Sequence, residues 1–253
     1  MIDVEGITNQ IINADCMDIL KELPDKCIDL VLTDPPYLFN RGGGKTFGTE
    51  GKSKIANSEL YNFGGKMMSE MGNFDKPQIY ELLNECKRVC KIMRGYYFCN
   101  ETALQYYLSW ATENNFKYNI ITLEKSISIL NRNRYSTNSE FLIRIIAKSG
   151  AGLNILDYKD NENNIEWLNS IQKFNKINNK IHLAQKPIDI INGVIKLNTL
   201  ENDIVLDCFS GSGTTAVACH NLKRRFICIE KDYNYWGASV KRLKNAQAQL
   251  KLF

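Results

Sequence analysis

The chain has 253 residues, 44% of them hydrophobic and 24% charged, with a net charge of +4 and eight cysteines. That balance is ordinary for a soluble globular protein, and so mild a positive charge does not by itself imply nucleic acid. No apolar run reaches the ~18 residues of a membrane span, no N-terminal signal pattern is visible, and no C-x-x-C pair supports a zinc or disulfide scaffold; the expectation is a cytoplasmic protein without a metal.

In chain order, Gln10–Asn13 reads as a strand, and Asp15 stands at the head of a helix over Cys16–Glu22. A second strand, Asp29–Thr33, is short and apolar and runs into Asp34-Pro35-Pro36-Tyr37. Neither proline donates a backbone hydrogen bond, and each biases the residue before it toward an extended shape. The stiff turn gathers a carboxylate, a carbonyl and an aromatic ring, a set suited to a flat molecule bearing an NH2 group. Residues 38–76 follow, rich in Gly, Asn, Ser and Lys and including Arg41, Lys45, Lys52 and Lys54. A loop this long is usually functional or disordered, and it is read as a lid whose cations meet phosphates.

Helices are predicted over Pro77–Ile92 and Glu101–Asn114, with strands at Gly95–Cys99, Tyr118–Leu123 and Phe141–Ala147. The polar stretch ahead of the last of these carries Arg132 and Arg134, also candidate phosphate contacts. Residues 150–180 are Asn- and Lys-rich, and Lys186–Leu197 reads as a helix. Val205–Asp207 is then a strand leading into Cys208-Phe209-Ser210-Gly211-Ser212-Gly213-Thr214-Thr215, and a helix follows over Thr214–Leu222. Phe226–Ile229 is a strand ending in Glu230, and a helix runs from Tyr233 to Leu250.

Strand, glycine turn, helix and strand-end acid resemble a dinucleotide fingerprint, in which glycines admit close approach of a ligand and the acid holds a ribose diol. A nicotinamide enzyme would place this unit first and build further units after it. A phosphate-binding loop would have lysine where Thr214 stands. A nucleoside without pyrophosphate fits better, S-adenosylmethionine among them. Strands alternating with helices predict one α/β domain over residues 1–253, with seven strands in a mainly parallel sheet flanked by helices. Its order should begin at the Val205 strand and run on through the N-terminal ones. Asp15, Asp34, Asp207 and Glu230 all fall at or just after strand ends, where such sheets bind ligands.

These motifs together resemble the beta group of DNA amino-methyltransferases, in which DPPY precedes the cofactor motif as a circular permutation of the Rossmann-like methyltransferase fold. The resemblance spans almost the whole chain. It implies S-adenosyl-L-methionine as cofactor, with DNA as partner, either a duplex with a flipped base or a single strand. Asp at the first DPPY position leans to adenine N6 as the target, with a DNA cytosine-N4 methyltransferase, an RNA adenine methyltransferase or a catalytically inactive nucleic-acid-binding relative as the alternatives. It implies catalytic Asp34, Pro35, Pro36 and Tyr37, and a cofactor set of Asp15, Cys16, His182, Lys186, Asp207, Phe209, Gly211, Gly213, Thr214, Thr215 and Glu230. His182 to Pro187 is similar to the family's HPTQKP motif, with Leu183 and Ala184 in place of Pro and Thr. Residues 150–180 lie where the family places target recognition. They are short for that task, which leaves room for the lid or the second subunit of a homodimer to share it.

Overall fold

Eight strands form one sheet in a computed structural model that describes residues 2–36, 74–129, 137–150, 152, 171–174 and 186–249. The strands are β1 (Gln10–Asn13), β2 (Leu30–Thr33), β3 (Arg94–Cys99), β4 (Lys117–Ile129), β5 (Thr137–Ile146), β6 (Ile171–Phe174), β7 (Ile204–Asp207) and β8 (Arg225–Glu230). Their spatial order is β1-β8-β7-β2-β3-β5-β4-β6. Only β5 runs against its neighbours, pairing antiparallel with β3 and β4. All seven expected strands are present. The eighth is β6, parallel to β4 at the sheet edge, from the region read as target recognition. The expectation that the order starts at the Val205 strand does not hold. β7 lies inside the sheet, with β8 and β1 beyond it, because the terminal βα unit packs outward from β7 and β1 closes that side.

The helices are α1 (Val4–Ile7), α2 (Cys16–Glu22), α3 (Lys76–Val89), α4 (Glu101–Glu113), α5 (Ile188–Asn198), α6 (Thr214–Asn221) and α7 (Tyr233–Gln249). Successive strand residues point to opposite faces, so each face acquires its own core. Val31, Tyr97, Leu206 and Ile227 pack under α2, α3 and α4, and Leu32, Tyr96, Val205 and Phe226 under α5, α6 and α7. Burial on both faces explains why the central strands read as unbroken apolar runs rather than alternating ones. Side-chain caps fix the helix starts on the first face. Asp75 and Gln78 form a reciprocal capping box at α3, and Asn100 caps α4 through the Ala103 N–H. Among the described residues, no helix is long and apolar enough to cross a membrane, and no group of three or more His, Cys, Asp or Glu could hold a metal ion.

Candidate active site

The parallel strands β1, β8, β7 and β2 end side by side, so the polar residues that follow them share one edge of the sheet. At its centre β2 and β7 are joined by side chains. The Thr33 hydroxyl donates to Asp207 Oδ1 at 2.8 Å and accepts from the backbone N–H groups of Cys208 at 3.1 Å and Phe209 at 3.2 Å. Asp207 Oδ2 accepts from the Thr215 hydroxyl at 2.6 Å, and Oδ1 also accepts from the Phe209 N–H at 3.2 Å. Asp207 therefore braces the turn from below. Burial pushes its carboxyl up to about 6, against the pull of these donors.

The turn is built for close approach. Gly211 and Gly213 have φ of 49° and 73°, the left-handed region that favours glycine. A Cβ on Gly213 would stand 2.9 Å from the Ser239 Cβ on α7. Glu230 holds the other side: Oε2 accepts from the Gly211 N–H and Oε1 from the Asp232 N–H, both at 2.8 Å. Burial raises its carboxyl above the ordinary range, with those two donors opposing. An ionised carboxylate has about four acceptor positions, so beyond these donors and the weaker pull of the Lys231 N–H, acceptor capacity remains for a ribose diol. Ser210 adds a hydroxyl only 6% exposed, with no hydrogen-bond partner among the described residues. Paired glycines, a strand-end carboxylate with spare acceptors and an orphaned buried hydroxyl fit a nucleoside cofactor.

Two residues that sequence reasoning missed complete this half. Arg242 reaches from α7 and donates through Nη1 to the Ser212 carbonyl at 3.0 Å and the Thr214 hydroxyl at 2.9 Å, tying the turn to the last helix. Phe74, just before α3, meets the Phe209 ring edge-on, with centroids 5.5 Å apart and planes at 80°. Neither carries a local signal, since each acts on a residue far away in the chain.

Asp15 sits beside this turn as the N-cap of α2, accepting from the Met17 N–H at 2.9 Å and from Lys231 Nζ at 2.9 Å. The Lys231 hydrogen bond lowers its carboxyl below the usual value, outweighing burial. Cys16 is buried beneath it, and burial pushes its thiol up to about 12, so its side chain acts as a small hydrophobe.

Asp34 follows β2 directly, with Pro35 buried behind it. Its Oδ2 accepts from Lys186 Nζ at 2.6 Å, and Lys186 also stands 3.5 Å from Glu140 Oε2. The same ammonium lies 5.0 Å above the Phe98 ring. Burial pulls the Lys186 ammonium down, but the Asp34 and Glu140 carboxylates outweigh it and hold its proton above the ordinary lysine value. Lys186, expected on the cofactor side, is thus found on the DPPY carboxylate. Tyr37, His182, Arg41, Lys45, Lys52, Lys54, Arg132 and Arg134 lie outside the described residues. So do most of the 38–76 and 150–180 segments.

A family model described as DNA methylase matches residues 28–241, spanning both motifs. Type II methyltransferase M.HinfI of Haemophilus influenzae is 26% identical over 96% of this chain and 70% of its own length. DNA adenine methyltransferase YhdJ of Escherichia coli is 24% identical, covering 92% and 82%. Among solved structures, the M1.HpyAVI–SAM complex superposes with a TM-score of 0.60 at 25% identity, over 92% of this chain and 99% of that one. PvuII DNA methyltransferase, described as cytosine-N4-specific, shares the fold at a TM-score of 0.68 with 14% identity, over 95% and 91%. The chain belongs to the DNA methylase family.

Proposed function

We propose that this member of the DNA methylase family transfers a methyl group from S-adenosylmethionine to the N6 amine of an adenine turned out of the DNA stack. The observation that carries this reading is the shared edge: Thr33, the last residue of the strand that leads into Asp34, links it to the glycine turn through Asp207. Gly211, Gly213, Ser210 and Glu230 would hold the cofactor. When bound, it supplies an electrophilic methyl group on a sulfonium.

The chain's own residues then govern the base. An exocyclic amine is a poor nucleophile because its lone pair is delocalised into the ring. Asp34 accepts an amine hydrogen, and a carbonyl of the Pro35-Pro36 turn accepts the other. Both bonds return electron density to nitrogen. As nitrogen gains its bond to carbon it becomes positive, so the carboxylate binds the transition state more tightly than the ground state and receives the proton that nitrogen sheds. Tyr37 stacks on the base, offsetting the few kcal/mol that flipping costs. Residues 150–180 and the 38–76 lid are assigned to target recognition, in the cytoplasm of a bacterium like those that carry the named relatives.

The test is transfer of labelled methyl from S-adenosylmethionine to unmethylated genomic DNA, followed by mass spectrometry of the digested product. N6-methyladenine is the expected product. Asp34→Ala should lower the rate by on the order of 2–4 kcal/mol of transition-state stabilisation, while cofactor affinity by calorimetry changes little. N4-methylcytosine alone would move the target base and leave the rest standing. An Asp34→Ala rate equal to wild type would overturn the role given to DPPY.

A further inference from the structure

Glu140 has no place in either motif, yet it lies at the reacting edge. It precedes Phe141, which pairs with Cys99 at the end of β3, so it shares the sheet edge where β2 delivers Asp34. Its side chain is 19% exposed and Lys186 is 10% exposed, so neither charge is well screened by water. The ammonium is shared unequally, 2.6 Å from Asp34 and 3.5 Å from Glu140. We propose that Glu140 is a positioning residue for methyl transfer: it draws Lys186 partly away from Asp34, so that the carboxylate facing the base keeps a usable acceptor and its negative charge.

Among the described residues, the two carboxylates and the one ammonium of this cluster sum to a single negative charge. The reaction brings a sulfonium to this edge and creates a positive nitrogen. A net negative cluster stabilises that charge. An Asp34–Lys186 pair alone sums to zero, and its cation competes with the amine for Oδ2. Conversely, two carboxylates without Lys186 repel each other, and one would be driven to hold a proton. Such a proton on Asp34 would turn an acceptor into a donor facing an amine. The trio therefore meets two demands that neither pair meets: both carboxylates stay ionised, and the ammonium has somewhere to lean when the base arrives. The Phe98 ring face, 5.0 Å from Nζ, supports the ammonium between the two acids.

Among the described residues, the other titratable groups that feel this cluster come from three elements. Cys99 on β3 has its thiol pushed up to about 12 by burial and then by Asp34. Tyr107 on α4 has its phenol held above the ordinary value by burial, with Asp34 adding to it. Both are neutral across the working range. Asp207 on β7, at about 6, does titrate there; burial is the main cause and Asp34 a lesser one, so the variants below leave most of its shift in place.

This role rests on the methyl-transfer reading, and the test separates the two. Single-turnover transfer to DNA is followed against pH for wild type, Glu140→Gln, Glu140→Asp and Lys186→Met, with S-adenosylmethionine binding and thermal melting measured alongside. Glu140→Gln removes a like charge and with it the pull of the Glu140 carboxylate on Lys186. Its acid limb should move to lower pH by roughly one unit, and its plateau rate should fall between roughly ten- and a hundredfold. Lys186→Met leaves the carboxylates facing each other, so its acid limb should move to higher pH. Glu140→Asp should restore part of the rate, and cofactor affinity should be unchanged in both Glu140 variants. A merely structural Glu140 would alter melting without moving the limb. An active wild type whose limb stays in place in the near-isosteric Glu140→Gln overturns the Glu140 role alone. A wild type that transfers no methyl group overturns the parent reading and this role with it.

Discussion

Asp207 sits beneath the glycine turn with two threonine hydroxyls and the Phe209 N–H donating to it, and burial still holds its carboxyl at about 6 rather than the ordinary 3.8. Between about pH 4 and 6 the folded chain keeps a proton here that the unfolded chain has released. This group's contribution to stability is therefore complete at low pH and is lost as pH rises through that window. Asp207→Asn has no such titration. Relative to that variant, the wild type should lose melting temperature from about pH 4 to pH 7, as calorimetry across that range would record. A constant gap would mean that the hydroxyl donors, not burial, set the ionisation. At this scale the sequence was partly legible. Asp15, Asp207 and Glu230 stand out because each ends a strand or begins a helix. What each oxygen does for the protein itself was hidden, because Lys231, Thr33 and the Asp232 N–H reach them only through the fold.

The glycine turn and α7 act as one element. Gly213 closes the turn at φ 73° and abuts Ser239, while Arg242, one helical turn further on, grips Ser212 and Thr214. Gly213→Ala meets two penalties, a left-handed backbone and a Cβ 2.9 Å from the Ser239 Cβ. Together they should cost about 2–4 kcal/mol in urea unfolding. Adding Ser239→Gly should return only the steric part, since φ is unchanged. Full recovery would show that the backbone tolerates alanine there. The elements that position the site were read from sequence because their signals are local: apolar runs at β2, β7 and β8, and acids or asparagine at helix starts. Two were not. β6 is four residues, Ile171-Gln172-Lys173-Phe174, a mixed apolar and polar pattern too short to stand out in a polar region. α1 is a single turn with no buried residue, held by the Asp3 cap and not by an apolar stripe.

Across the whole molecule, the site is assembled from opposite ends of the chain. Thr33 and Asp207 are 174 residues apart, and Asp34 and Lys186 are 152 apart. On a ribosome adding about 5–20 residues per second, the strand bearing Asp34 waits roughly ten to thirty-five seconds for β7 to arrive. Through that interval its β7-facing edge is unpaired, and the cofactor turn has not yet been made. A nascent chain therefore has no partial chemistry to offer: transfer begins only when the last quarter is in place. Translation arrested so that only residues before β7 have emerged should yield chains that take up no S-adenosylmethionine in a photocrosslinking assay, and uptake by such chains would refute the dependence. Termination before β7 then yields an inert fragment, one that carries the Asp34 carboxylate and no turn to hold a methyl donor.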